Sequence, residues 1–458
     1  MKVLIIGGGP GGYIGAIRLA QLGSEVTIVE KNAMGGTCLN VGCIPTKVLL
    51  HSSELYKTLV EEGDELGLEI SEIKLNWSKL LKRKKSIVKR LVGGVEGLMK
   101  SNQVTVIKGE ASFVDAHHAE VKTATHTESI EFDKAIIATG SESIVLPVEG
   151  SKLKDVMTSD DALSLEILPK SIGIIGGGVI GCEFASIYSS LGVKVTIIEM
   201  LPHLIAPMDQ EIVEVLKKSL IKQGVDIHLD TKLERMIESA NGLTITTDKG
   251  SFLVEKVLMA TGRRPVSKGL NLEALNLEMN RSAIVVNPKT MQTSLPHIYA
   301  VGDCNGGVLL AHVAFAEGYT AAEHIHGLKP TIDFKTTPYA VYTKPELASV
   351  GLTEATAKQA GFTVKIGKFP LMANGKALIL NETEGFVKFV VDTKTDELLG
   401  VHMVGPKATE LIAEAGLALR LEATVDEIMT TIHAHPTVSE SFHETAHAVH
   451  GLALHLPK

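Results

Sequence analysis

The sequence predicts an α/β fold built around two copies of one nucleotide-binding unit, and three observations predict it. Residues 3–30 (VLIIGGGPGGYIGAIRLAQLGSEVTIVE) and 172–199 (IGIIGGGVIGCEFASIYSSLGVKVTIIE) align without a gap. Each copy ends on a similar apolar run into a turn, at Ala138-Thr139-Gly140 and at Ala260-Thr261-Gly262. With 458 residues, the chain exceeds what one hydrophobic core organises, so several domains are expected.

Each copy opens with a short apolar run, the pattern of a parallel strand buried on both faces. A G-x-G-x-x-G follows: Gly7, Gly9 and Gly12 in the first copy, Gly176, Gly178 and Gly181 in the second. The first glycine makes the tight turn, the second lets backbone approach a pyrophosphate, and the third lets helix pack on strand. The helix that begins there presents free N–H groups and partial positive charge to the phosphates. A second apolar strand ends in an acid, Glu30 or Glu199, placed to accept hydrogen bonds from ribose hydroxyls. These are Rossmann-like units. A carboxylate at Glu199 accepts a free 2′-OH and repels a 2′-phosphate. The residues after it, Met200-Leu201-Pro202-His203, bring no arginine, so NAD is favoured over NADP.

The first glycine lies 131 residues before the closing alanine in the first unit and 84 in the second. The first unit therefore carries an insertion of about 47 residues. Two of the chain's four cysteines, Cys38 and Cys43, lie in that longer unit, as does a basic helical segment near residues 76–100. Cysteines five apart in a regular helix are too distant for a disulfide. Asn40 and Gly42 suit a tight irregular turn between them, and Pro45 suits the first turn of a following helix. Cys43 is then at a helix N-terminus, where the dipole favours thiolate. Three readings compete. A zinc site needs two more ligands, and Cys182 and Cys304 are distant and unpaired. Two inert thiols are possible. A redox-active dithiol is favoured, since a reducing cytosol disfavours structural disulfides.

Near the C-terminus, His433-Ala434-His435-Pro436-Thr437-Val438-Ser439-Glu440 sets His435 five residues before a carboxylate that can fix its tautomer and raise its basicity. A histidine before proline is often structural; beside a dithiol, His435 is the candidate base. His443, His447 and His450 read as a helix face rather than a metal site, and His117-His118 as a surface turn.

Apolar residues at 45% and charged residues at 21% are ordinary for a soluble globular protein. The net charge of −8 leaves no footprint for nucleic acid. The basic run Lys82-Arg83-Lys84-Lys85, with Lys89 and Arg90, reads as a solvated helix face. The N-terminal MKVLIIGGG lacks the features of a signal peptide, and no apolar stretch is long enough for a membrane span. A cytoplasmic location is expected.

Taken together, GGGPGG, GGTCLNVGCIPTK, GGGVIGCEFA, MATGRRP, IYAVGDC and HAHPTVSE, in this order, resemble the class I pyridine nucleotide–disulfide oxidoreductases along the whole chain. The likeness is strongest to members that oxidise protein-bound dihydrolipoamide to lipoamide and reduce NAD⁺. It implies FAD on the first unit, with Gly7, Gly9, Gly12, Glu30, Lys47, Thr139, Gly140 and Asp303 as its contacts. It implies NAD on the second, with Gly176, Gly178, Gly181, Glu183, Glu199 and Gly262. Lys47 is expected to pair with Glu183. The implied domains are 1–141 (first part of the FAD-binding domain, with the dithiol), 142–265 (NAD-binding), 266–337 (completing the FAD-binding domain) and 338–458 (an α+β dimerisation domain). The likeness further implies a homodimer with shared active sites, in which His435 and Glu440 serve the other subunit's Cys38 and Cys43. Cys38 is then the sulfur that meets substrate and Cys43 the one that meets flavin. The implied partner is a lipoylated E2, or the H-protein of glycine cleavage. Reduction of another disulfide, glutathione or coenzyme A disulfide, with NAD(P)H is the alternative. One departure is Val266, where the family often has asparagine.

Overall fold

A computed structural model describes residues 1–329 and 332–457; Pro330, Thr331 and Lys458, within the expected 266–337 and 338–458 regions, lie outside the described residues. The first sheet is parallel, in the order Ile298–Ala300, Lys134–Ile137, Lys2–Ile6, Glu25–Glu30, Thr105–Lys108. The second repeats the pattern: Asp226–His228, Lys194–Ile198, Ser171–Ile175, Lys256–Met259, Val156–Met157. Lys2–Ile6 shows why its run is apolar at every position. Val3 and Ile5 pack with Ala16 and Leu19 of helix α1 (Pro10–Gln21). Leu4 and Ile6 pack on the opposite side with Phe113 and Val121 of a small antiparallel sheet formed by residues 110–131. Burial on both faces removes the alternation a half-exposed strand would show. In the second unit Ile174 joins the helix-side core, while Ile175 packs with Met236 and Ile245 of the sheet spanning residues 233–254.

The insertion contributes three helices: α2 (Gly36–Val41), α3 (Cys43–Glu61) and α4 (Trp77–Ser101). Asn76 caps α4, its side-chain oxygen accepting from the Lys79 N–H at 3.0 Å. The second unit holds α5 (Ser159–Ala162), α6 (Val179–Ser190) and α7 (Gln210–Lys222). The chain then returns to the first sheet through strand Ile298–Ala300, and α8 (Ala311–Ile325) packs on α1.

The third sheet is antiparallel: Tyr339–Val341, Glu346–Gly351, Leu398–Gly405, Phe386–Asp392, Val364–Pro370. Helices Ala408–Arg420 and Glu440–Val449 cover it, giving the expected α+β unit with Phe389, Val401, Met403 and Phe442 at its centre. A buried cation fastens this unit to the second. Lys388, 2% exposed, binds Asp209 at 3.0 Å and also Glu211 at the start of α7. Among the described residues no helix is long and apolar enough to cross a membrane.

Candidate active site

The two glycine loops have nearly the same geometry. Gly7 has φ +109° and Gly176 φ +108°, and a Cβ would stand 2.2 Å from the Ala138 carbonyl in the first and 2.4 Å from Ala260 in the second. Gly12 and Gly181 are pressed against the carbonyls of Gly7 and Gly176. Gly9 and Gly178 cap α1 and α6 and face open space. A Cβ would meet only Gly36 Cα at 3.8 Å in the first and nothing within 4 Å in the second. Bare backbone before a helix N-terminus fits a dinucleotide pyrophosphate. Each acid is latched to its own loop. Glu30 accepts from the N–H groups of Gly8 and Asn32, both at 2.7 Å. Glu199 accepts from Gly177 at 2.6 Å and Leu201 at 2.8 Å.

Around the closing turn of the first unit, Thr139 Oγ1 donates to the Val266 carbonyl at 2.6 Å, and Gly140 has φ +71°. Val266 thus contributes its backbone carbonyl to this turn. Gly262 closes the second unit with φ +105°. Ser141 Oγ donates to Asp303 and accepts from Arg263 Nε at 2.8 Å. Beside Asp303, the Gly302 N–H and the Asn305 side-chain amide donate to Glu317 of α8. Burial pushes the Glu317 carboxyl up to about 7, Asp303 adding to the effect and the two hydrogen bonds opposing it. No sequence signal marked Ser141 or Glu317, and Arg263 stood only within the MATGRRP motif with no role assigned; folding brings them to the end of the first sheet.

Cys38 lies in α2, and Cys43 is the first residue of α3. The expected irregular turn is narrower than its spacing suggested: a six-residue helix, then a break at Gly42 alone. A Cβ on Gly42 would stand 2.9 Å from the Thr37 carbonyl and 3.1 Å from Cys38 Cα. Asn40 serves α2 instead of a loop, donating to the carbonyls of Met34 at 3.0 Å and Gly36 at 2.9 Å. Both cysteines are half-buried, and no disulfide joins them in this structure. A hydrogen bond from Cys38 is the main influence on Cys43, which is lowered to about 7; burial opposes the shift, Lys47 assists it and Glu183 resists it. The same bond, with burial, pushes Cys38 far up. The two sulfurs are thus shifted in opposite directions, Cys43 toward thiolate and Cys38 toward thiol.

Lys47, one turn along α3, donates to both Glu183 oxygens at 2.8 and 2.9 Å. Glu183 lies in α6 and is 4% exposed. Burial works to lower the Lys47 pKa, but the Glu183 carboxylate outweighs it and the net shift is upward. Tyr342 was not anticipated. Its ring lies 4.6 Å from Lys47 Nζ, and its N–H donates to Glu183 at 3.2 Å. Cys182 and Cys304 are fully buried, and burial raises both thiols, Cys304 to about 12.

In the third unit His435 Nδ1 bonds Glu440 at 2.8 Å, leaving a ring whose side chain is 78% exposed. Burial tends to raise the Glu440 carboxyl, but the Thr437 N–H and the His435 ring outweigh it and hold it low. His433 is a buried neighbour bound to Glu414 at 2.9 Å. Among the described residues no hydrogen bond or ion pair joins His435 to Cys38 or Cys43 within one chain.

Two dinucleotide loops, a close pair of thiols in the first unit and a third α+β unit together define a nucleotide-dependent disulfide oxidoreductase. The chain belongs to the pyridine nucleotide-disulphide oxidoreductase family: that family's model matches residues 1–318, and the model of its dimerisation domain matches residues 337–446. Its cofactors are FAD and NAD, and its assembly is a homodimer. Among individual proteins it is 43% identical to a dihydrolipoyl dehydrogenase of Bacillus subtilis, covering 99% of this chain and 98% of that one. It is likewise 43% identical to the dihydrolipoyl dehydrogenase of Thermus scotoductus, over 99% of this chain and 98% of that one. Among solved structures it is similar to LpdA from Mycobacterium tuberculosis, with a TM-score of 0.92, 28% identity and coverage of 97% and 99%. The flavoprotein disulfide reductase RclA of Escherichia coli, as a Cu(II) complex, gives a TM-score of 0.89 at 30% identity, covering 97% and 98%.

Proposed function

We propose that the chain is a cytoplasmic dihydrolipoyl dehydrogenase that oxidises the dihydrolipoyl group of a lipoylated E2 or H-protein and reduces NAD⁺. The observation that carries this reading is the placement of Cys38 in α2 and Cys43 at the head of α3, one turn from the Lys47–Glu183 pair, together with the His435–Glu440 pair in the third unit. The expected domain limits, at 141, 265 and 337, are kept as part of this proposal.

In the oxidised enzyme Cys38 and Cys43 form a disulfide. His435, held by Glu440, takes a proton from one substrate thiol, and the resulting thiolate attacks Cys38, displacing Cys43 as thiolate. The second substrate thiol loses its proton and attacks the substrate sulfur of the mixed disulfide, releasing the cyclic disulfide. Cys38 leaves as a thiolate and takes up the proton that the second substrate thiol lost, while His435 keeps the first. Two electrons have moved from substrate to protein, leaving Cys38 as thiol and Cys43 as thiolate, in keeping with the direction in which burial, Lys47 and the neighbouring sulfur shift the two groups. Lys47 stabilises negative charge next to Cys43, and Glu183 balances Lys47. Bound FAD supplies the two-electron relay from the dithiol to NAD⁺. The residues that would hold it are Gly7, Gly9, Gly12, Glu30, Thr139, Gly140 and Asp303, with NAD at Gly176, Gly178, Gly181, Glu199 and Gly262. His435 lies in the dimerisation domain and is open to solvent, which suits service to the partner's dithiol.

The test is turnover of the purified holoenzyme with dihydrolipoamide and NAD⁺, against glutathione disulfide or coenzyme A disulfide with NADPH. Turnover confined to the second set would refute the proposal.

A further inference from the structure

Helix α4 carries eight lysines and arginines and one glutamate, within a chain of net charge −8. Its inner side is anchored. Leu80 packs with Leu49 and Leu50 of α3, Val95 and Met99 join the α1 core, and the buried Lys84 donates to the Leu163 carbonyl. Lys79, Lys82, Arg83, Lys85, Lys89 and Arg90 are all exposed. At 100° per residue, five of them (Lys85 is the outlier) fall within an arc of about 120°. They extend along roughly 16 Å of helix axis. Among the described residues, none of these six side chains makes a hydrogen bond or an ion pair. Some exposed cations elsewhere are paired, as in Lys358–Glu354 and Lys222–Glu384; what sets α4 apart is that its unpaired cations are gathered on one face. Unpaired cations concentrated on one face repel one another, and an anionic surface relieves that repulsion.

The position of the face narrows the partner. Helix α4 packs against α1, α2 and α3, so it flanks the helix that carries Cys38. An anionic body resting on α4 is held beside the substrate thiol, whereas the nucleotide loops face α1 and α6 from their own sheets. We infer that the outer face of α4 is the docking surface for an acidic carrier domain, which presents its pendant dithiol to Cys38. The inference rests on the functional reading above and extends it from the chemistry of the dithiol to the surface of the protein that bears it. The interaction is steering rather than tight binding: exposed charges act over a Debye length of about 10 Å at 0.1 M salt and raise encounter rates.

The experiment compares two substrates on one set of enzymes. The first is free dihydrolipoamide, which is small and uncharged; the second is a reduced lipoylated carrier domain chosen for its net negative charge. The variants are Lys82→Glu with Arg83→Glu, and Lys89→Glu with Arg90→Glu, each made in the FAD-loaded dimer and checked for an unchanged melting transition. At low salt, kcat/KM for the carrier domain falls about ten-fold or more in each variant. The difference disappears at high salt, and free dihydrolipoamide is turned over as before. Equal loss with both substrates, or no loss with the carrier domain, overturns the docking surface while leaving the dithiol chemistry standing. Failure of the unmodified enzyme with both substrates overturns the functional reading and this inference with it. Binding of short duplex DNA or anionic vesicles that the variants lose, with unchanged carrier-domain kinetics, would assign the face to a polyanion instead.

Discussion

Replacing Cys38 with alanine isolates what holds charge on Cys43. A thiol at its ordinary value of 9.0 is about one per cent ionised at pH 7, whereas one lowered to about 7 is about half ionised. Roughly fifty-fold more thiolate is therefore present at neutral pH than the side chain alone would give. The Cys38 S–H is the leading cause; Lys47 also lowers the value, while burial and Glu183 raise it. Alanine removes the donor and leaves those opposing influences in place. The thiolate beside oxidised flavin is expected to give a long-wavelength absorption that grows as pH rises, because the deprotonated form is the charged one. In the two-electron-reduced parent enzyme that band should titrate near 7. In Cys38→Ala its midpoint should move up toward 9, and Cys38→Ser, which keeps a donor, should fall between. A midpoint at or below 7 in the alanine variant would show that Lys47 and the start of α3, rather than the neighbouring thiol, hold the charge.

Three further outcomes are expected. His435→Ala should slow dihydrolipoamide oxidation by about 10²- to 10⁴-fold. It should leave NADH oxidation by an artificial electron acceptor nearly intact; equal losses in steady-state assays would make the histidine structural. Glu199→Arg should shift the ratio of kcat/KM for NADP⁺ over NAD⁺ upward about ten- to hundred-fold, because a charge-assisted hydrogen bond to the 2′-phosphate replaces repulsion. Lys388→Ala strands the buried Asp209 carboxylate and should destabilise the fold by about 3–5 kcal/mol in denaturant titration. The Glu211 partner of that lysine is lowered to about 2 despite burial, held down by Lys368 and Lys388. Its contribution to stability is therefore complete above pH 4.5 and fades as pH falls toward 2.

The sequence was most legible where chemistry and backbone shape coincide. Gly7 and Gly176 need a positive φ that few other residues accept, so their spacing announces the loops. The unbroken apolar runs at Val3–Ile6 and Ile172–Ile175 announced strands covered on both faces. Legibility failed where a role depends on distant segments meeting. Ser141, Arg263 and Glu317 converge from three stretches more than fifty residues apart; only Arg263 lies in a recognised motif, and its partners could not be read from it. Tyr342 reaches Glu183 through an N–H, which leaves no mark on side-chain choice, and its ring meets Lys47 from a segment far away in the chain. The α2 helix was missed because six residues are too few for a helical period to declare itself; Asn40, which favours turns by propensity, is used there to tie the helix to Met34.

The latching of Glu30 and Glu199 carries a consequence for how nucleotide preference can change. Both oxygens of each carboxylate are already committed to main-chain N–H groups. Each acid is thus a strut for the turn as well as the proposed reader of the ribose. It cannot rotate aside to admit a bulkier sugar without releasing two hydrogen bonds and loosening the loop it braces. Discrimination therefore resides in immobility as much as in charge. Substituting the strut alone should trade selectivity for slackness, and a durable switch of nucleotide would have to rebuild the turn around a new brace.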